Sequence, residues 1–276
     1  MTDLAVAPEW VCVGCHARVP MASDACTTCG RRFGEGLATD HSTVSRQLGR
    51  WGFVLREFLI LNVLFILWRV VGQVSVFHEA GALGRGRWLW GVERTLHLPN
   101  EATLQHAVLG HVTVSRICNG FYAWAHAPML AATLLWLLWR HREHYARWRN
   151  LVVAFTGVSL LIGLLPVAPP RLVPDLGLVD LAARYHQSVY DGLGKGVTDQ
   201  LSALPSVHIG WAVLVAMAVI MVSRSRWRWL VLIHPILTAY VVVVTANHYW
   251  LDGVAALAVL GAVIISSRRF VPRLVP

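Results

Sequence analysis

Two short stretches of the sequence, Leu204-Pro205-Ser206-Val207-His208 and Asn247-His248-Tyr249-Trp250-Leu251-Asp252, each stand at the start of a long apolar run. Such a boundary is where a helix that crosses a membrane is expected to meet water. A histidine or a carboxylate at that depth is costly to keep, and it marks a functional site by default. The fold and its chemistry are therefore predicted to be organised around these two boundaries.

The composition is that of a membrane protein. The 276 residues are 56% hydrophobic and only 14% charged, whereas soluble domains average about 25% charged residues. The formal net charge of +9 would also suit a nucleic-acid partner, but the arginines lie mostly in clusters beside apolar runs. That placement is typical of basic residues held on the cytoplasmic side of a bilayer. We therefore expect a membrane and no nucleic acid as partner.

Residues 51–270 are predicted to form an all-α integral membrane domain with six transmembrane helices. About 20 residues are needed to cross about 30 Å of hydrocarbon. Residues 77–117 mix charged residues with Leu, Trp and Val, which predicts either interfacial amphipathic helices or a plain scaffold. The six predicted spans are residues 53–76, 119–139, 151–167, 205–223, 229–246 and 247–267.

The arginine clusters predict the orientation of this domain. They lie in the N-terminal segment, the 140–149 loop, the 224–228 turn and near the 271–276 tail, all on one side of a six-span chain. By the positive-inside rule that side is cytoplasmic, so both termini are expected in the cytoplasm. The 168–203 loop and both histidine stretches then lie on the extracytoplasmic face of the cell membrane.

The N-terminal segment carries a separate motif of two CxxC pairs. Such pairs are the signature of a tetrahedral four-thiolate zinc site. Two disulfides or a redox dithiol are the alternatives, and a reducing cytosol disfavours disulfides. We predict a zinc-ribbon-like module over residues 1–36 with structural Zn²⁺, a 37–50 linker after it, and a cytosolic protein as its candidate partner. The pairs, ten residues apart, are Cys12 with Cys15 and Cys26 with Cys29.

The histidine stretches hold the groups that phosphoryl transfer needs. His248 and Asp252 are four residues apart, so both project from one side of a helix. A carboxylate on one imidazole nitrogen fixes the tautomer and leaves the other nitrogen free to attack. Ser206 begins a helix, where anionic oxygens are favoured, and His208 is placed to protonate a departing oxygen. Arg171 offers a planar fork that matches phosphate oxygens, so this arrangement requires no catalytic metal.

Tyr122 and His126 form a second candidate pair near the start of the 119–139 span. They are four residues apart, hence on one helical face. An interfacial aromatic belt with a hydrogen-bonded histidine and a contribution to the substrate site are both open interpretations.

These motifs resemble those of the type-2 phosphatidic-acid phosphatase superfamily. Pro205-Ser206-Val207-His208 is similar to its PSGH element, and His248 with Asp252 is similar to the HxxxD end of its SRxxxxxHxxxD element. Asn-His-Tyr before the aspartate, Gly210-Trp211-Ala212 and the APPR sequence resemble the inositolphosphotransferase-like branch, which contains inositol phosphorylceramide synthase. The resemblance covers roughly residues 50–270.

Two cationic positions of that pattern are missing here. Leu164 stands where the KxxxxxxRP element has its lysine, and Val241 and Val242 stand where the third element has Ser-Arg. Only Arg171 of the patterned cations is kept. Arg184, Lys195, Tyr122 and His126 are the residues that we expect to compensate.

The resemblance implies an enzyme that acts on a lipid phosphate or pyrophosphate. His248 would form a phosphohistidine, Asp252 would orient it, His208 would protonate the leaving group, and Ser206 and Arg171 would hold the phosphate. Water as acceptor gives a lipid phosphatase, the favoured interpretation, and a lipid or polyol hydroxyl gives a phosphotransferase. The alternative of another class is a catalytically inactive membrane tether for the zinc module, because the missing cations would weaken phosphate binding.

Overall fold

The chain divides into two compact units, Met1–Asn62 and Val63–Pro276. In the 37–50 linker all but the last residue lies outside the described residues, as do Lys195 and the 271–276 tail. The computed structural model describes residues 9–12, 14–20, 23–32, 50–76, 79–187 and 201–270.

The first unit contains a small antiparallel sheet and two similar turns. Strand β1 (Glu9–Val11) pairs with β2 (Arg18–Pro20). In each turn the amide of the fourth residue after a cysteine donates to that cysteine's carbonyl, from His16 to Cys12 at 2.8 Å and from Gly30 to Cys26 at 2.8 Å. Both donor residues have positive φ, 58° and 73°, which glycine adopts without strain. The two CxxC pairs therefore form turns of the same geometry.

The remaining described chain is predominantly helical. Short 3₁₀ segments lie at Pro170–Leu172, Pro174–Leu176 and Arg226–Leu232. The α-helices are α1 (Arg50–Val76), α2 (Glu79–Thr95), α3 (Glu101–Leu109), α4 (Val112–Trp124), α5 (His126–Arg140), α6 (Arg142–Ile162), α7 (Leu181–Arg184), α8 (Val207–Val222), α9 (Ile233–Val244) and α10 (Trp250–Phe270).

Two helical segments of the described chain, Arg226–Val244 and Trp250–Ser267, are long and apolar enough to cross a membrane. A third is added if α4 and α5, which meet at a bend of 47°, count as one span. The predicted 119–139 span is thus divided between two helices. Proline at position 128 explains the break, because it has no N–H to donate to the carbonyl four residues earlier. The count of six spans stays a prediction.

Four helices, α5, α6, α8 and α10, share the largest apolar core. Leu137, Phe155, Leu214 and Ala256 are fully or almost fully buried in it. A second core joins α3, α4, α8 and α9, and it contains Tyr122 and the buried run 241–244. Because α8 contributes to both cores, its first turn, which carries His208, is held from two sides.

The segment after α6 is held in place by backbone hydrogen bonds to residues near the two histidine stretches. Val167 donates to Leu201 at 2.8 Å, and Ala203 donates back to Val167 at 3.1 Å. Arg171 then donates its amide to the carbonyl of Ala246 at 3.0 Å. These bonds place the 167–171 segment beside both histidine stretches.

Gly210 tests how closely α8 packs against α6. A Cβ at this position would overlap the ring of Phe155, which is itself fully buried and cannot move aside. Gly210→Ala is therefore expected to cost about 1–3 kcal/mol of stability or more, the range for overpacked cores. A lower apparent thermal midpoint of the detergent-solubilised protein would show it.

The matched control is Gly261→Ala in α10, where a Cβ would meet nothing within 4 Å. Its midpoint should equal or slightly exceed that of the wild type, because alanine reduces the entropy of the unfolded chain. Equal midpoints for the two variants would contradict the close α6–α8 contact.

Candidate active site

His248 lies in the tight turn between α9 and α10. The turn is closed by two hydrogen bonds to one carbonyl, from the amides of Asn247 at 3.0 Å and His248 at 3.1 Å to Val242. It also holds Ala246 at φ 53°, a conformation that costs a residue with a Cβ about 1–3 kcal/mol. Backbone strain of this kind persists only where the surrounding structure requires it.

The hydrogen bonds of the His248 ring define its tautomer. Nδ1 lies 2.8 Å from the carbonyl oxygen of Ala203 and 3.2 Å from Oδ2 of Asp252. A carbonyl can only accept, so Nδ1 carries the hydrogen and Nε2 carries the lone pair. In the neutral ring, Nε2 is therefore available as a nucleophile.

His208 faces that lone pair from the first turn of α8. Its Nδ1 is 3.2 Å from Nε2 of His248, and the two ring centroids are 5.4 Å apart. Because Nε2 of His248 is the acceptor, Nδ1 of His208 is the donor in this pair. The two imidazoles that were predicted to share a phosphate are thus in direct contact.

Ser206 joins the two helices that carry these histidines. It is the N-cap of α8, with Oγ accepting from the amide of Ile209 at 3.4 Å. Its own amide donates to the backbone carbonyl of Asp252 at 3.1 Å. The fully buried Ser206 therefore fixes the start of α8 against the first turn of α10, and its own amide is already engaged.

Arg171 is buried next to the His248 turn and is held by two side chains. Its Nε donates to Oδ1 of Asn247 at 2.9 Å, and one terminal nitrogen donates to Oδ2 of Asp180 at 2.8 Å. Asp180 also caps α7 through Oδ1, which accepts from Ala183 at 3.0 Å. The clamp residues Asp180 and Asn247 were not predicted as site residues, although Asn247 directly precedes His248 in the sequence.

Tyr122 and His126 both contact His208. The ring centroids of Tyr122 and His208 are 4.5 Å apart, and those of His126 and His208 are 4.8 Å apart. Tyr122 is 9% and His126 is 4% exposed, which disagrees with an exposed interfacial belt. Neither ring nitrogen of His126 has a hydrogen-bond partner among the described residues. The ring centroid of His234 in α9 lies 5.9 Å from that of His126. His234 is the fourth imidazole of this cluster, and the sequence did not predict it.

The positions without the patterned cations have apolar roles in the structure. Val241 and Val242 are buried in the second core, and the carbonyl of Val242 closes the His248 turn. Leu164 is 39% exposed.

Two of the residues expected to compensate for the missing cations are Arg184 and Lys195. The guanidinium of Arg184 lies 5.9 Å from the ring centroid of Tyr185, and Lys195 lies outside the described residues.

The four N-terminal cysteines come together as a potential metal centre. All four sulfur atoms lie within 4.8 Å of one another, and no disulfide joins any of these cysteines. The 3.5 Å separations of Cys12 from Cys29 and of Cys15 from Cys26 are close to the ~3.8 Å edge of a tetrahedron with ~2.3 Å Zn–S bonds. A backbone hydrogen bond from Cys29 lowers the pKa of Cys26 to about 6, while the neighbouring thiols raise that of Cys15 to about 12. The cluster therefore fits a metal ion.

Comparison with known proteins agrees with this geometry. The PAP2 superfamily matches residues 87–266, a range that contains Arg171, both histidine stretches, Tyr122 and His126. No curated protein and no solved structure shows a significant match to the chain. Because the family match covers more than half of the sequence and the whole histidine cluster, this chain belongs to the PAP2 superfamily.

Proposed function

We propose that this protein is a lipid phosphatase that acts through a phosphohistidine on His248, without a catalytic metal. Membership of the PAP2 superfamily supports phosphatase-type activity in general. The observation that carries the specific proposal is the tautomer of His248. Its Nδ1 is committed to Ala203 and Asp252, and its Nε2 lone pair faces His208 at 3.2 Å.

In the first step, Nε2 of His248 attacks phosphorus while the bond from phosphorus to the leaving oxygen breaks. The imidazolium form of His208 gives its proton to that oxygen. In the second step, water attacks the phosphohistidine, His208 takes a proton from the water, and the phosphorus–nitrogen bond breaks. The 3.2 Å contact between the rings leaves no room for phosphorus, so the rings separate as substrate enters.

The phosphate oxygens have several candidate partners around this pair. The amides in the first turn of α8 have no acceptor inside the helix, and they favour an anion there. Ser206 is the N-cap of the helix that carries His208, and Arg171 is bonded to Asn247, the residue before His248. His126 supports a ligand most directly, because a buried polar group without a partner is costly and a phosphate oxygen would supply one.

The same intermediate would serve a phosphotransferase if a lipid or polyol hydroxyl replaced water. One observation favours the inositolphosphotransferase-like branch. Arg171 of the APPR sequence and Asn247 of the Asn-His-Tyr sequence, both typical of that branch, are hydrogen-bonded to each other at 2.9 Å. An assay with free inositol beside water as acceptor separates the two. The tether alternative predicts no turnover at all.

The proposed setting is a six-span domain with the histidine cluster on the extracytoplasmic face of the cell membrane. Each predicted span overlaps a helix of the described chain, namely α1, α4 with α5, α6, α8, the 3₁₀ segment with α9, and α10. The four cysteines would then hold Zn²⁺ in the cytosol, where the metal supplies the folding free energy of a segment with a small core. A cytosolic protein is the proposed partner of that module.

The nucleophile is tested by His248→Asn. Loss of the attacking nitrogen should lower phosphate release from a panel of lipid phosphates at least about a thousandfold, since nucleophile loss leaves only binding and electrostatic effects. His144→Asn is the matched control, because His144 has a 44% exposed side chain and should keep full activity. Equal activity of His248→Asn and wild type would eliminate the proposed nucleophile.

The metal is tested by elemental analysis of the purified full-length chain. A single zinc ion per chain is expected, and Cys26→Ser should release it because a neutral hydroxyl replaces a thiolate ligand. Cys118→Ser is the control, since Cys118 is a buried residue of α4 and should leave the zinc content unchanged. The four-thiolate assignment fails if Cys26→Ser and wild type hold the same amount of zinc, or if wild type holds none.

A further inference from the structure

A glutamate of α2 caps the helix that carries the proposed catalytic carboxylate. Oε1 of Glu93 accepts a hydrogen bond from the amide of Leu251 at 2.7 Å. Leu251 is the second residue of α10, and amides in a first helical turn have no acceptor inside the helix. Glu93 is fully buried, so this bond cannot be replaced by water without opening the structure.

A second fully buried carboxyl group, that of Glu101 in α3, shares the guanidinium of Arg94 with Glu93. One terminal nitrogen of Arg94 lies 2.9 Å from Oε2 of Glu101 and 4.0 Å from Oε2 of Glu93. The oxygens Oε2 of Glu93 and Oε1 of Glu101 find no hydrogen-bond donor among the described residues. Two buried carboxylates beside one guanidinium repel each other, and a proton on one of them would relieve the repulsion and supply a donor.

The surroundings decide which group holds the proton. Glu101 has the direct ion pair with Arg94, so the proton is assigned to Glu93. Burial raises the pKa of Glu93 to about 9, and the charges of Glu101 and Asp252 raise it further. Tyr249 also faces this pair. Glu93 is therefore the neutral acid at pH 7.

Glu93 is connected to the histidine cluster through Leu251, which it caps, and through Asp252, which contacts His248. Leu251 directly precedes Asp252, whose Oδ2 accepts from the amide of Tyr249 at 2.9 Å and from Nδ1 of His248 at 3.2 Å. The same turn is held from the α2–α3 connection by Trp250, whose Nε1 donates to the carbonyl of Pro99 at 2.8 Å.

We propose that Glu93 and Glu101 share one proton and act as positioning residues, which fix the first turn of α10 and thereby hold Asp252 against His248. This inference rests on the proposed function for its catalytic consequence. The neutral state of Glu93 is essential to it, because an ionised Glu93 would repel both Glu101 and Asp252 and loosen the turn.

Two substitutions separate the cap from the charge. Glu93→Gln keeps an oxygen for the amide of Leu251 and supplies an N–H for Glu101, so it reproduces the neutral acid. It should hydrolyse lipid phosphate at pH 7 within about twofold of wild type. Glu93→Leu leaves the buried amide unpaired, and it should lower kcat about 10- to 100-fold with little change in KM, because the turn that positions the nucleophile is loosened.

The alkaline range provides a readout that packing alone would not give. In the wild type, kcat should fall as the pH rises through about 9, where Glu93 ionises. Glu93→Gln cannot ionise, so at pH 9 it should retain a larger share of its pH 7 activity than the wild type does, because loss of the His208 proton affects both proteins alike. The proposal is overturned if Glu93→Gln is as impaired as Glu93→Leu at pH 7, or if its alkaline profile matches that of the wild type.

A thermal measurement tests the shared proton independently of any activity. A carboxyl group whose pKa is raised by folding contributes stability that is lost as the pH rises towards the folded value. The thermal midpoint of the wild type should therefore fall between pH 7 and about pH 9 more steeply than that of Glu93→Gln. Equal slopes would overturn the shared proton even if Glu93→Leu fails to fold. If wild type hydrolyses no lipid phosphate but the slopes differ, the proposed function fails and the carboxyl pair stands.

Discussion

The hydrogen bond from Nδ1 of His248 to the carbonyl oxygen of Ala203, at 2.8 Å, is the constraint on which the site depends. It joins residues 45 positions apart in the chain, and Ala203 is itself held by the hydrogen bond from its amide to Val167. A carbonyl acceptor fixes the imidazole tautomer whatever the charge of Asp252. Segments 167–171 and 201–203 of the connection between α6 and α8 are therefore part of the framework of the candidate active site.

The distribution of polar groups is the one that the proposed membrane setting would require. Lipid supplies no hydrogen bonds, so the buried polar residues of such a chain must satisfy one another. At the His248 end of α9 and α10 several of them form one connected network, from Asp180 through Arg171 and Asn247 to the turn that holds His248. The four-helix core below it is almost entirely apolar. The apolar core and the polar network thus lie at different levels along the helices. The polar groups therefore do not interrupt the packing of the core.

The sequence predicted what is local and periodic. The apolar runs marked the helices, the four-residue spacing paired His248 with Asp252, and the CxxC spacing predicted the cysteine cluster that the structure brings together. It did not predict Asp180 or the Glu93–Glu101 pair, because their partners lie in other segments and no periodic pattern marks such contacts. The division of the 119–139 span could have been predicted from the proline at position 128, since its missing N–H interrupts a helix.

The missing cations change how the proposed reaction would bind phosphate. Arg171 is the family-pattern cation that this sequence keeps, and its ion pair with Asp180 at 2.8 Å offsets much of its charge. A phosphate beside it would therefore be held mainly by neutral donors, namely the first amides of α8 and the imidazole of His126. Neutral donors in a water-excluded site stabilise charge well when they are already oriented. Orientation is what Ser206 gives to α8 and what the strained turn at Ala246 gives to His248. The rigidity of these two turns would then replace the charge that Val241 and Val242 do not supply.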